Sequence, residues 1–154
     1  MGLTSRVRLV HVGAIGDLAF PKGDSRFVHI DPVPQPELRR FYAEADALVL
    51  ASRQEGLATV QSQALASGLP VICTNRTGGA DLAHTRALAQ HITVIPHDDL
   101  SALAAAVAGL RDRRKAGECL PPISHSDRET LSWTAYGRRY AEQIAADFGQ
   151  CSRD

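Results

Sequence analysis

The chain has 154 residues, of which 44% are hydrophobic and 22% charged, a size and balance that suit one folded domain and exclude a disordered chain. Its 17 basic and 17 acidic residues cancel, so no general attraction to nucleic acid or to an anionic membrane is implied. No apolar run approaches the ~20 residues that span a bilayer, and the start, Met1 to Val7, lacks the apolar stretch of a secretory leader. The three cysteines, Cys73, Cys119 and Cys151, match neither a disulfide framework nor a zinc pattern, so reduced thiols in a cytosolic protein are expected.

Short apolar strands alternate with helical stretches along the chain. Residues 7–13 read as a strand that ends on glycine, and residues 27–30 as a second. A helix is expected over 36–45, entered at Pro36 with Glu37 in its first turn and striped by Leu38, Phe41, Tyr42 and Ala45. Residues 47–51 form a third strand, followed by a polar loop over 52–58 and a helix over 59–67 that Gly68 stops. Residues 70–73 form the next strand, and 79–83 a helical turn. The strand at 92–95 is halted by Pro96, and Asp98 or Asp99 caps a helix running to about Arg111. Residues 112–130 read as a loop, 132–148 as the last helix, and 151–154 as a frayed tail.

This alternation predicts an α/β fold with a parallel sheet covered by helices on both faces. Ligands in such folds bind at the carboxyl ends of the strands, which directs attention to the loops after Gly13, Ile30, Leu50 and Cys73. The loop at 52–58 carries a carboxylate, Glu55, and a glycine, Gly56, directly before a helix. A helix amino terminus offers unpaired N–H groups and a positive dipole end, both favourable to an anion such as a diphosphate. Gly56 permits close approach to the backbone. Glu55 stands where it would accept hydrogen bonds from sugar hydroxyls, and the Gln63 amide lies about one turn into the helix, within reach of a ribose.

The run from Glu55 through Gly56, Leu57, Ala58, Thr59, Val60 and Gln63 to Gly68, Pro70 and Ile72 resembles a known donor-site pattern, E-G-F-G-x-x-x-x-E-A-M-A-C-G-x-P-V-I. That pattern belongs to the large family of retaining glycosyltransferases, the family 4 kind, which includes sucrose synthases and many bacterial mannosyltransferases and lipopolysaccharide or capsule transferases. Val33-Pro34-Gln35-Pro36-Glu37-Leu38 is similar to the family's V-P-x-x-E-L, residues 45–52 to its A-D-x-x-V-x-P-S, and Thr77-Gly78-Gly79 to its later glycine turn. Leu131-Ser132-Trp133 and Arg139-Tyr140 are similar to its closing helix. The resemblance covers residues 7–144 and implies a Rossmann-like, carboxy-terminal half of a two-domain enzyme, with residues 1–150 as the nucleotide-sugar-binding domain.

By that resemblance, Glu55 contacts the donor sugar near the reacting carbon and is the candidate catalytic residue. The backbones of Gly56, Leu57 and Ala58 face the sugar, the amides of Thr59 and Val60 hold the diphosphate, and Val33 meets the nucleobase. Gln63 replaces the family's second glutamate. Charge-assisted hydrogen bonds contribute roughly 1.5–3 kcal/mol against about 1 for neutral ones, so a weakened ribose contact is expected. The resemblance also implies a further first strand, a glycine-arginine loop and a helix, carrying an arginine and a lysine for the diphosphate. Nothing before Val7 supplies these, a gap in the sheet is expected in their place, and the isolated chain is expected to be inactive. A nucleotide sugar is the implied partner, with no cofactor, no metal and no nucleic acid. An amino-terminal acceptor domain absent from this chain is implied too, as is a cytoplasmic location with a peripheral contact at the inner membrane face for the full enzyme.

Plainer readings stand beside these. Glu55 is otherwise a solvated loop carboxylate, Gln63 a helix-surface amide, and Gly68 a helix stop. Gly13-Ala14-Ile15-Gly16-Asp17 is neither a dinucleotide nor a P-loop fingerprint and reads as a turn. His11 and His29 lie in strands, while His84, His91, His97 and His125 are expected at the surface. The basic run 111–115 reads as a solvated loop, and Trp133 and Tyr140 as packing anchors on one face of the last helix. A non-catalytic remnant or interaction module of this fold, or part of a sugar-nucleotide epimerase, remains the alternative function.

Overall fold

The computed structural model describes residues 7–16, 20–21, 23–56 and 58–148. The expectations for Asp17, Leu57, Cys151 and the tail at 151–154 lie outside the described residues. The chain divides into two compact units, Met1–Glu44 and Ala45–Asp154.

In the first unit, β1 (Leu9–Val12) and β2 (Phe27–Ile30) pair in parallel, with Leu9 opposite Phe27 and His11 opposite His29. Parallel strands need a crossover between them, which residues 13–26 supply. Asp24 anchors the entry to β2: it accepts hydrogen bonds from both the backbone N–H and the guanidinium of Arg26, and that guanidinium holds its carboxyl down at about 2. The helix expected from Pro36 begins with a 3-10 turn, Gln35–Glu37, before α1 (Leu38–Glu44). Pro36 has no N–H to donate, and Glu37 instead donates to the Pro34 carbonyl at 2.8 Å, the shorter i to i+3 spacing. Of the expected apolar stripe, Tyr42 is the buried member.

The second unit holds β3 (Leu48–Leu50), α2 (Thr59–Ala66), β4 (Val71–Thr74), α3 (Gly79–Ala83), α4 (Arg86–Ala89), β5 (Ile92–Ile95), α5 (Leu100–Lys115), α6 (His125–Glu129) and α7 (Trp133–Phe148). Its three strands run parallel in the order β3-β4-β5. The described strands form two sheets, one in each unit. The central strand β4 is buried at all four residues, but β5 buries only Ile92 and Ile95 and exposes Thr93 and Val94. Burial on both faces, expected for every strand, is met by the central strand β4 and not by β5, which lies at the edge of this sheet. Ala64 and Leu65 of α2 are fully buried, and Val71, Ile72, Cys73, Leu88 and Ile123 are among the residues that share this core.

Glycines end two helices in the same way. Gly68, at φ +84°, follows α2, and the N–H groups of Gly68 and Leu69 return to the carbonyls of Leu65 and Ala64. Gly117, at φ +74°, does the same for α5, with Gly117 and Glu118 donating to Arg114 and Arg113. Both are Schellman motifs, which glycine enters without a Cβ penalty. The second one corrects the loop expected over 112–130. The helix α5 continues to Lys115, its last turn carrying Arg113, Arg114 and Lys115 where cations suit the carboxyl end of the dipole, and α6 occupies part of the remainder. At the other end of α5, Asp99 is the cap, accepting from the Ala102 N–H at 2.8 Å.

Two expectations about single side chains fail. His91, expected at the surface, is 3% exposed, because the short turn from α4 into β5 places it inside the core. Trp133 and Tyr140 do share a face of α7, joined through Tyr136 by an edge contact of 5.9 Å and a stacked contact of 6.3 Å. They are nevertheless 70% and 61% exposed, and the residue that α7 buries is the small Ala135.

Candidate functional site

The strand β3 delivers the chain into a loop that leads to α2 and in which Ala51, Arg53, Gln54, Glu55 and Gly56 are exposed. At the helix entry Ala58 is extended, at φ −69° and ψ 108°, and contributes no side-chain cap. The first turn of α2 therefore has no side-chain cap, although the Gln61 N–H donates to the Ala58 carbonyl at 3.0 Å, and the positive end of the helix ahead of it is left for another acceptor. Thr59 is exposed and Val60 half-buried at this entry. Gly56 is exposed, and no atom outside its chain neighbours lies within 4 Å of where a Cβ would stand. Its lack of a side chain thus keeps open space in front of the loop rather than relieving a clash behind it.

Glu55 is exposed and placed from two sides. Its N–H donates to the Arg76 carbonyl at 2.9 Å, and its carboxylate accepts from Ser52 Oγ at 3.1 Å. The Ser52 carbonyl in turn accepts from the buried Thr74 Oγ1 at 2.6 Å. The turn after β4 is pinned internally as well, Thr77 Oγ1 donating to the Thr74 carbonyl at 2.9 Å. The loop after β3 is thereby tied at two points to the end of β4 and the turn that follows it, and an otherwise solvated carboxylate is held in a defined place.

A further tie comes from α2 itself. Gln61 is fully buried, and its Nε2 donates to the Thr77 carbonyl at 2.5 Å. Its Oε1 has no hydrogen-bond partner among the described residues. A Cβ at Gly79 would collide with Cys73 Sγ and stand 2.7 Å from Gln61 Oε1. Glycine at this position is thus a packing requirement, set by the junction of β4, α2 and α3. Burial pushes the Cys73 thiol up, against the opposing hydrogen bond with Thr77, so this cysteine behaves as an apolar filler and not as a nucleophile.

Cations also stand at the ends of these strands. Arg53 Nε donates to Asp98 Oδ1 at 2.9 Å, and the guanidinium holds that carboxyl below the usual range. Asp98 sits at φ +59°, beside the cap of α5. Arg76, in the turn after β4, is exposed.

The structure therefore gathers Glu55, Gly56, Ala58, Thr59 and Val60 at one helix entry. Gln63 follows in the same helix, half-buried, its carbonyl accepting from Ser67 Oγ at 2.9 Å. Val33 is half-buried in the first unit, and Leu57 lies outside the described residues. Sequence reasoning missed Gln61, Thr74, Thr77, Arg53 and Arg76. A polar residue at 61, four before Leu65 on the inward face of α2, was the available signal for the first of these. An open hollow lined by Thr85, Arg86, Gln90 and Asp127 contains none of the expected site residues. Among the described residues no helix is long and apolar enough to cross a membrane, and no group of three or more His, Cys, Asp or Glu residues could hold a metal ion.

The family described as glycosyl transferases group 1 matches residues 3–113, which include the loop, α2 and the five strands among the described residues. A D-inositol 3-phosphate glycosyltransferase of Thermobispora bispora is 32% identical over 137 residues, covering 87% of this chain and 31% of that protein. The chain thus spans less than a third of that relative's length. No solved structure matches the chain at a significant level.

Proposed function

The chain belongs to the group 1 glycosyltransferase family, and on that premise we propose that it is the donor-binding, carboxy-terminal portion of a retaining enzyme that moves a sugar from a nucleoside diphosphate to an acceptor hydroxyl. The product classes this reading favours are polysaccharide, glycolipid and lipopolysaccharide. The observation that carries the proposal is the entry to α2: an uncapped helix start, an open space at Gly56 and a tethered carboxylate at Glu55 within one short segment.

The chemistry follows from those parts. The bond between the anomeric carbon and the diphosphate oxygen breaks, the diphosphate leaves with the electron pair, and the acceptor hydroxyl adds to that carbon from the same face, passing its proton to the departing diphosphate oxygen. Negative charge grows on the leaving diphosphate, and preorganised amide dipoles at Thr59 and Val60 stabilise it there more than in the ground state. The Glu55 carboxylate meets the sugar, where positive charge grows on the ring. Gln63 replaces a charged ribose acceptor with a neutral amide and so weakens that contact. Val33 supplies backbone contact to the base. In this reading a further strand, loop and helix with their cations pair along the edge of β3 that β4 does not use, and an acceptor-binding domain completes the enzyme at the inner face of the membrane.

The test is calorimetric titration of the chain with UDP, GDP and ADP. Binding of at least one is expected. Glu55→Ala and Gly56→Trp, with both variants folded, are expected to weaken binding of the matching nucleoside diphosphate sugar more than that of the sugar-free nucleotide. Absence of binding by all three at millimolar concentration overturns the proposal.

A further inference from the structure

The buried amide of Gln61 is used by none of the roles above, and its surroundings give it one. It projects from the first turn of α2, two residues after Thr59. It spans to the Thr77 carbonyl, in the turn whose Arg76 carbonyl and Thr74 hydroxyl hold Glu55 and Ser52. The other contacts in this web fix the loop; Gln61 fixes the helix. It is the contact from the interior of α2 to that turn, and it acts within the turn of helix whose amides face outward. The fit around it is close. Gly79 leaves room for Gln61 Oε1 and Cys73 Sγ and for nothing more. An apolar side chain would satisfy burial at this position, whereas a fully buried amide with one orphaned oxygen carries a desolvation cost that only its hydrogen bond to Thr77 offsets.

We propose that Gln61 is a positioning residue for the nucleoside diphosphate site: its Nε2 bond to the Thr77 carbonyl sets the entry of α2 against the turn after β4, and so sets where the Thr59 and Val60 amides stand relative to Glu55. The nucleotide part of this inference rests on the proposed donor site; the coupling of Gln61 to the loop does not.

The experiment uses the whole chain and three proteins. Gln61→Met keeps the length and volume of the side chain and removes the hydrogen bond. Leu88→Ala, in the core of the same unit on α4, serves as a variant destabilised without touching the web. Amide hydrogen exchange over residues 52–60 is measured without nucleotide, and UDP, GDP and ADP affinities are measured by calorimetry. Faster exchange over 52–60 in Gln61→Met than in both wild type and Leu88→Ala is expected, together with about tenfold weaker nucleotide binding in Gln61→Met alone. If the wild type binds and Gln61→Met binds within twofold of it, the positioning role is overturned and the donor site stands. If no nucleotide binds the wild type, the donor site is overturned, and the exchange measurement still decides the coupling. Exchange over 52–60 that matches the Leu88→Ala control refutes it, and selective acceleration upholds it as a property of the loop.

Discussion

At the scale of single residues, two glycines in neighbouring turns do opposite things. Gly79 is hemmed in by Cys73 Sγ and Gln61 Oε1, whereas Gly56 borders open space. Forcing extra atoms into a packed core costs about 1–3 kcal/mol, while a surface change away from special backbone stays within about 0.5 kcal/mol. Gly79→Ala should therefore lower the stability measured by urea unfolding by that larger amount, and Gly56→Ala should leave it nearly unchanged. The reverse order is expected for nucleotide affinity as bulk grows at position 56, because that space is where the donor is proposed to lie. Thr74 makes a related point. Its hydroxyl holds the Ser52 carbonyl, and Thr74→Val leaves that acceptor without its donor. A loss of about 1–3 kcal/mol is expected, read in the same unfolding experiment.

At the scale of elements, helix ends decide where the chain turns. The Asp99 side chain caps α5 through the Ala102 N–H, and removal of such a cap costs about 1 kcal/mol. Asp99→Ala should lower the thermal midpoint accordingly, while Asp98→Asn, which removes the exposed charge pair with Arg53 and keeps a residue suited to φ +59°, should change it little at physiological salt. These ends were partly legible in the sequence. Gly68 was readable as a stop because glycine before a new apolar run is a local signal. Gly117 carried the same signal but stood among charges and prolines, which drew the reading toward a loop. In α7, the spacing of Trp133 and Tyr140 correctly put both on one face, but spacing does not say whether anything covers that face. Tyr140→Ser is expected to leave stability unchanged within about 0.5 kcal/mol, because the ring is 61% exposed.

At the scale of the whole molecule, the buried His91 links the fold to pH. Burial pushes its imidazole below the ordinary value, and the Pro121 backbone opposes this. Neither ring nitrogen has a partner at hydrogen-bonding geometry among the described residues, so burial sets the direction. The unfolded chain takes up a proton at His91 near the ordinary value of about 6.5, whereas the folded chain resists it until lower pH. Between those two values the unfolded state holds more protons, so stability from this residue is full above about pH 6.5 and declines as pH falls through the window below it. Urea unfolding measured from pH 7.5 down to 5 should show this slope, and His91→Leu should flatten it. An unchanged slope in that variant would mean that other groups produce it.

The sequence by itself determined the alternation of strands and helices, the parallel α/β class, the stop at Gly68 and the address of the candidate site at residues 55–63. Those features follow from short-range causes: side-chain period, backbone freedom at glycine, and the free amides of any helix start. Only the tertiary structure decided which side chains are interior. His91 is polar and reads as a surface residue, and Trp133 and Tyr140 are aromatic and read as packing anchors, yet each lies on the other side of the boundary, and the burial of Gln61 had no counterpart in the sequence reading. Burial depends on what packs against an element, and residues distant in the chain supply that. The web that holds Glu55 is of the same kind. Ser52 and Thr74 are 22 positions apart and Gln61 and Thr77 are 16 apart, and they meet because adjacent parallel strands bring their carboxyl ends side by side. The chemistry of the candidate site was therefore written locally, and its rigidity was written in the pairing of β3 with β4.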